Sequence, residues 1–417
     1  MQRLDAHLLI GAGLMAAQPT SAQDTVDHLH HQGAAPAPAH AHADAETETD
    51  ALRVDLAYTA DVWSARRGGT TRDARYLDNL DLTIAADLDR LAGISRTTAF
   101  VYLLYNNGTR FSDGVANDAQ VISNIETGTR ALRPYEAWIE HGGASGRWSL
   151  RAGLYDLNSE FDALASSDLF LGSAHGIGTD ISQSGANGPS IFPSTSLALR
   201  GDAKIGENLT LRAAILDAVP GDPDHPARTV VRLGRREGAL GIAELDWDLG
   251  SARAIAGAWG YSRGQPDLRD EALLQPRRRA SIGAYLRGES VLARGATTQL
   301  RGFVRVGLAS ARANPFAGFA SAGLNATGLI PGRGDDETGI AIAHARSGRT
   351  SRAALRDQGL SPARGETAIE LTHRFSLSEW LSVQPDLQYI ISPGALAGTR
   401  NVLAAGLRVA LSAGFGR

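Results

Sequence analysis

Segment after segment of this chain alternates apolar and polar residues. In "LRVDLAYTADVW", Leu52, Val54, Leu56, Tyr58, Ala60 and Val62 fall on one side and Arg53, Asp55, Thr59 and Asp61 on the other. "NLTLRAAIL" sets Leu209, Leu211, Ala213 and Ile215 against Thr210 and Arg212. "LSVQPDLQYI" sets Leu381, Val383, Pro385, Leu387 and Tyr389 against Ser382, Gln384, Asp386 and Gln388. "NVLAAGLRVALSAGF" keeps Leu403, Ala405, Leu407, Val409, Leu411, Ala413 and Phe415 in one register. "SLALRGD", "SIGAYLRGE", "LRGFVRVGL" and "TAIELTHRF" follow the rule less cleanly. A period of two belongs to half-buried strands, whose successive side chains point to opposite faces. Clusters of Gly, Asp, Asn and Pro separate the segments, as turns require. No long amphipathic helix interrupts them. The chain reads as all-β.

Two architectures share that periodicity, a large secreted all-β protein and a transmembrane antiparallel β-barrel. The polar side here offers Arg, Asp, Glu, Gln and Ser, and the apolar side Leu, Val, Ala, Ile and moderate aromatics. That division suits a barrel with an apolar exterior and a polar lumen. The chain's end favours it too. Leu407, Val409, Leu411 and Phe415 hold register to within two residues of Arg417, so a final strand ending near Phe415 with a short tail is expected. No stretch reaches the ~18 apolar residues that a membrane-spanning helix needs. Spanning therefore requires a closed barrel. At roughly 23 residues per strand and its share of loop, residues 51–417 accommodate 16 strands, with 14 or 18 also compatible. A barrel of that size encloses an aqueous channel.

The beginning of the chain has a different character. Arg3, the apolar run "LLIGAGLMAA" and the small residues up to Ala22 predict a secretory signal peptide over 1–22. Residues 23–50, rich in Ala, Pro, His and acids, form a disordered linker, which lacks the apolar surface to fold. His28, His30, His31, His40 and His42 lie there. Close His spacing can bind a divalent metal, but a flexible tether explains it more simply. The barrel domain is 51–417. A net charge of −4 removes any global argument for a nucleic-acid partner. With no cysteine, disulfides and thiolate chemistry are excluded. Lys204 is the only lysine; every other basic residue is an arginine, the planar, always-charged donor.

One stretch abandons the alternation. "LYDLNSEFDALASSDLFLGSAHGIG" sets Asp156, Glu160, Asp162 and Asp168, with Asp180 just beyond, among Phe161, Leu164, Leu169, Phe170 and Leu171. A strand ends near Tyr155, and an insert follows with apolar anchors and acidic acceptors. This stretch, with "YEAWIEH" (135–141), "WSLRAGLYDLNSEFD" (148–162), "FLGSAHGIGTDISQSGANGPSIFPSTSLALR" (170–200) and "ETAIELTHRFSLSEWLSVQPDLQYIISPG" (366–394), resembles the carbohydrate-selective outer-membrane porin family, the OprB family. The likeness covers most of the chain after residue 50; the His-rich linker lies outside it, and "RDEALLQPRRRA" (269–280) is not distinctive. The resemblance implies a 16-stranded barrel that passes sugars passively through a pore narrowed by inward-folded loops, with arginine and acidic side chains at the constriction. It implies a bacterial outer-membrane location, contact with outer-membrane lipid and the barrel-assembly machinery, a monomer or homotrimer, and no cofactor.

Strand parity sorts candidate pore residues. Ser149, Arg151 and Tyr155 oppose Trp148, Leu150, Ala152 and Leu154, so they face the lumen. Glu136, Trp138 and Glu140 share a lumen face, as do Arg200, Arg212, Arg232 and Arg305 by the same test. The pathway candidates are Arg151, Arg200, Arg212, Glu136, Trp138, Asp156, Asn158 and Glu160. Each has a plainer reading, because an inward Arg can simply pair with a wall Glu, and Trp138 can belong to an interface girdle. Glu136 with Glu140, or Asp156 with Glu160, invite a glycosidase acid–base reading. No supporting motif accompanies them: there is no HExxH and no phosphate loop, and "GPSIF" is not a nucleophile elbow. The expectation is a channel rather than an enzyme. The alternatives are a channel for other solutes or metal ions aided by the His-rich tether, and a secreted carbohydrate-binding protein.

Overall fold

The computed structural model describes residues 50–222, 224–231, 237–270 and 274–416. The expected signal peptide, the linker with its five histidines, and Arg232 lie outside the described residues.

Sixteen antiparallel strands close into one barrel. The first eight are β1 (Leu52–Arg67), β2 (Arg75–Asp87), β3 (Thr97–Asn106), β4 (Ala131–Gly142), β5 (Trp148–Tyr155), β6 (Ser196–Lys204), β7 (Leu209–Asp217) and β8 (Ala239–Asp248). The remainder are β9 (Ala252–Tyr261), β10 (Ile282–Arg294), β11 (Gln299–Ala309), β12 (Phe316–Thr327), β13 (Glu337–Ser347), β14 (Gly365–Ser378), β15 (Leu381–Ile391) and β16 (Val402–Gly416). Each pairs with its neighbours in sequence, and β16 returns to β1 with Phe415 opposite Val54 and Leu407 opposite Val62. Closure leaves no strand edge unpaired, which a bilayer demands. The final strand runs through Phe415 to Gly416, where its expected end lay.

The two ends of the barrel differ. At the end where β1 begins and β16 finishes, strands join through short turns such as 205–208, 249–251 and 379–380. At the other end the connections are long, notably 107–130, 156–195, 262–281 and 348–364. Loop 348–364 contains a nine-residue helix, α1 (Arg349–Asp357), that the sequence pattern does not reveal. It is short, and its three arginines hide any apolar stripe. Among the described residues no helix is long and apolar enough to cross a membrane.

The outer wall is apolar. Leu56, Ile139, Leu199, Ile215, Leu286, Val304 and Leu371 all point outward and are exposed. Such a continuous belt would be untenable in water and is the lipid face of a transmembrane barrel. Trp148, Trp247, Trp380 and Phe415 stand exposed near the short-turn end, at the level where aromatic side chains meet a bilayer interface.

The hydrophobic core lies inside the barrel. Loop 107–130 turns inward and packs Phe111, Val115, Ile122 and Ile125 against a group that includes Trp63 and Leu77. Loop 156–195 does the same with Leu157, Phe161, Leu164, Leu169, Phe170, Ile177 and Ile181, beside Tyr102, Tyr285 and Phe303. Each such side chain contributes about 1.5–3 kcal/mol when fully buried. Glycines on the inner wall make room for the insert. A Cβ at Gly339 would stand 2.7 Å from the Phe170 ring, and one at Gly307 2.2 Å from the Asp180 carboxylate.

The opposed faces make a direct prediction. Val304→Arg places a charge on the lipid side of β11 and is expected to cost about 2–4 kcal/mol if it lies near the bilayer midplane. Denaturant titration of the protein refolded in liposomes measures this, and an unchanged midpoint would contradict the outward assignment.

Candidate functional site

The site begins at a bulge in β4. Tyr102 pairs with Glu136 and Leu103 with Pro134, so Tyr135 is the extra residue. Tyr135 and Glu136 are consequently both buried on the inner side, against strict alternation. Together they seize the start of loop 156–195. Glu136 Oε1 accepts the Asp156 N–H at 2.9 Å, and the Tyr135 hydroxyl donates to Asp156 Oδ2 at 2.5 Å. Asp156 Oδ1 in turn accepts the Asn158 N–H at 2.8 Å, capping a short 3₁₀ turn. Asn158 Nδ2 donates to the carbonyls of Phe161 and Gly176.

Glu160 is the next anchor. Arg151 and Arg200 stand directly opposite each other on β5 and β6, two like charges side by side. Glu160 lies between them. Arg200 grips it with Nε at 2.8 Å and Nη2 at 2.5 Å, and Arg151 Nη1 lies 3.4 Å away. Tyr155 also donates to Glu160. Glu140 binds the same two arginines, at 2.7 Å from Arg151 and 3.0 Å from Arg200. Arg212 donates to the Glu160 carbonyl at 3.1 Å and pairs with Asp202 at 2.9 Å. The Arg151 guanidinium sits 3.7 Å over the Trp138 ring, which stacks on Phe100.

All eight residues singled out from sequence thus fall in one connected cluster on the inner wall and the loop that leaves it. Their exposure divides them. Glu136, Asp156, Asn158, Glu160, Arg151 and Arg200 are buried in contacts that fix the loop. Trp138, 6% exposed, faces the lumen side and does not belong to the lipid girdle. Arg212 keeps 15% of its side chain open and Glu140, the second partner of Arg151 and Arg200, 23%.

A second anchor repeats the first. Arg287 on β10 faces Arg305 on β11, and Asp162 from the loop lies 3.3 Å from the first and 2.9 Å from the second. Asp180 adds a contact to Arg305 at 2.8 Å. Glu244 accepts the Asp162 N–H at 2.7 Å, and Glu289 accepts the Ser166 N–H at 2.8 Å. On the far wall, Glu366 and Glu370 of β14 and Gln384 and Gln388 of β15 receive the tips of both loops. The selection made from sequence omits these wall carboxylates and amides. Parity alone could have placed Glu244, Glu370 and Gln388 inside, but nothing in a strand pattern says which loop atom an inward Glu will meet. Where the loops meet, a small void of about 10 Å³, room for about one water, is lined by Gln120, Val121, Ser173, Thr179, Ser182 and Gln183 among others. The described residues contain no group of three or more His, Asp or Glu arranged to hold a metal.

Burial shapes the titration of the loops. It pushes Asp118 up to about 6, Asp156 to about 7 and Glu126 to about 8, and it pushes His175 down to about 3, so that this imidazole stays neutral at physiological pH. The three carboxyls bind their protons more tightly in the folded loops than in an unfolded chain. Through these three carboxyls loop stability falls as pH rises from the ordinary carboxylate range to about 8, whereas His175 acts in the opposite sense below the ordinary histidine range. Amide exchange of 107–130 and 156–160, corrected for intrinsic rates, is expected to be faster at pH 8 than at pH 5; equal or slower exchange would contradict it. Independently, Asp162→Ala strips a buried partner from Arg287 and Arg305. It is expected to cost about 3–5 kcal/mol, read as lost exchange protection over 156–184.

No curated protein matches the sequence. Among solved structures, the high-pH structure of Pseudomonas putida OprB superimposes with a TM-score of 0.75 at 19% identity, covering 87% of this chain and 94% of that one. The low-pH structure of the same protein gives 0.55 at 16% identity, with 87% and 93% covered. The outer membrane channel DcaP of Acinetobacter baumannii gives 0.52 at 10%, with 87% and 96% covered. At these identities the likeness is one of fold. The sequence model described as "Carbohydrate-selective porin, OprB family" matches residues 71–412, most of the chain. With sixteen strands, an apolar exterior and two loops folded into the lumen, the chain belongs to the carbohydrate-selective porins of the OprB family.

Proposed function

We propose that the chain conducts neutral sugars passively, through the part of the lumen that its two infolded loops leave open, and that the partly open charged residues toward the short-turn end form a vestibule to it. The observation that carries this reading is the placement of both loops across the lumen, beside an inner wall that carries charged and polar side chains. In the vestibule, arginine donors stand among carboxylate acceptors: Glu140, Asp202, Arg212, Asp246, Arg253 and Glu289 each keep 12–23% of the side chain open. A sugar offers hydroxyls that both donate and accept. Arginine supplies fixed donors to them and carboxylates supply acceptors. Passage needs such contacts to be several and individually weak.

Within the set drawn from sequence, the roles divide. Glu136, Asp156, Asn158 and Glu160 hold the loop in place. Arg151 and Arg200 hold Glu160. Arg212 reaches the solute, and Trp138 backs Arg151. The acids also lack the freedom an enzyme would need. Glu160 is gripped by arginine, and Asp156 by Tyr135 and a backbone amide, which supports a channel over a hydrolase. Export by a signal peptide over 1–22, insertion by the barrel-assembly machinery, and a monomeric or homotrimeric state in outer-membrane lipid complete the proposal.

Reconstitution in planar bilayers tests it. Discrete conductance steps are expected, diminished by added sugar. A water-soluble protein with no conductance would overturn the reading. Arg212→Ala is expected to weaken sugar block by about tenfold, the worth of one hydrogen bond to a charged group, with the barrel intact by heat-modifiable migration.

A further inference from the structure

β14 carries two inward glutamates four residues apart, and each receives the tip of a different loop. Glu366 Oε2 accepts the Ala119 N–H at 2.8 Å and Oε1 accepts the Gln120 N–H at 2.9 Å, both at the tip of loop 107–130. The same Oε2 accepts the Gly394 N–H at 2.6 Å from the loop between β15 and β16. Glu370 Oε1 accepts the Leu171 N–H at 2.6 Å and Oε2 the Gly172 N–H at 2.9 Å, at the tip of loop 156–195. Both carboxylates are fully buried. The next strand completes the seat: Gln388 Nε2 donates to the Ile122 carbonyl at 2.8 Å and Gln384 Nε2 to the Leu169 carbonyl at 2.7 Å. The tips also bond each other, Ser173 N–H to the Val121 carbonyl at 3.0 Å and Asn124 N–H to the Leu171 carbonyl at 2.8 Å.

Both loops spring from the β3–β6 side of the barrel, yet their tips end on β14 and β15 across the lumen. The tips meet at Gln120, Val121 and Ser173, residues in or beside the clamped amides, so the clamp fixes how far both loops reach into the lumen. We infer that Glu366 and Glu370 are positioning residues that pin both loop tips to the far wall and so set the width of the passage. Each carboxylate uses both oxygens on backbone N–H groups. A glutamine in its place can accept at one oxygen only and turns an NH₂ group toward the second amide. Gly172 fits the same picture: a Cβ there would approach Glu370 Oε2 to 2.7 Å, so the clamp needs a residue without a side chain at that point. The inference rests on the reading that solutes pass through the lumen that the two loops narrow.

The test uses the full-length protein, wild type and the double variant Glu366→Gln/Glu370→Gln, in planar bilayers and in amide exchange. Heat-modifiable migration should be unchanged, because the strand ladders are untouched. Protection at Ala119, Gln120, Leu171 and Gly172 should fall at least tenfold. Single-channel conductance should rise about twofold or more, with added flicker and weaker sugar block. Unchanged conductance and block alongside lost protection would overturn the clamp, as would protection that survives both substitutions. If the double variant does not fold, each single variant is read alone, Glu366→Gln against 119–120 and Glu370→Gln against 171–172, with the same criteria. A wild-type protein that conducts nothing would overturn the channel reading instead, so the two failures are distinguishable.

Discussion

Everything inside this barrel depends on like charges that face each other across strands and are reconciled by a third group. Arg151 opposes Arg200, and Arg287 opposes Arg305. Neighbouring guanidinium groups repel by on the order of a few kcal/mol near a protein surface. Glu160 and Asp162, two residues apart in one loop, are inserted between the two pairs. The dependence runs in both directions. Without the loop, the inner wall would carry uncompensated arginines; without those arginines, the loop would bury bare carboxylates. Breaking such a buried arrangement is costly because the remaining partner is left without compensation. Wall and loop are therefore specified together.

A second constraint comes from the backbone. The infolded loops contain little regular structure, so their N–H groups have few partners of their own, and a buried amide without one costs free energy. The wall supplies acceptors. Glu136 takes the amide of Asp156, Glu244 that of Asp162, Glu289 that of Ser166, Glu370 those of Leu171 and Gly172, and Glu366 those of Ala119 and Gln120. These contacts visit the loop 156–195 in sequence order as it travels from β4 past β8 and β10 to β14. A lumen lined with carboxylates can hold irregular chain at membrane depth, where a lumen lined with leucine could not.

This division of labour explains what the sequence disclosed and what it withheld. Alternation in "NLTLRAAIL" and "LSVQPDLQYI" arises from one strand meeting lipid on one side and a polar lumen on the other, a purely local cause, so the strands and their parity are legible residue by residue. The same parity put Arg151, Arg200 and Arg212 inside. Glu160 was legible as an acid among apolar anchors where alternation stops. Its placement between Arg151 and Arg200 depends on the path of the loop, and so does the choice of Glu366 and Glu370 as seats for loop tips some 200 positions earlier in the chain. No periodicity encodes a contact over that separation. The bulge at Tyr135 escaped for a different reason: one extra residue shifts two inward side chains onto consecutive positions, and a rule of strict alternation cannot express it.

The charged groups at mid-height are largely consumed by these internal bonds, and that bears on how sugars would be chosen. Glu160 with Arg200, and Asp162 with Arg287 and Arg305, are each 5% exposed or less and hold one another. Where the loop tips meet, Gln120, Ser173, Thr179, Ser182 and Gln183 lie with Ala119, Val121, Ala174 and Ile177 around a void with room for about one water. On the proposed reading a sugar passes beside the loops rather than between their tips. The charges it meets in the vestibule are paired and partly open. Selection by this channel is then a matter of where two loops are held as well as of each residue's grip on the solute. Releasing a loop tip from its carboxylate should alter passage through all contacts at once, because it changes the width that every contact depends on.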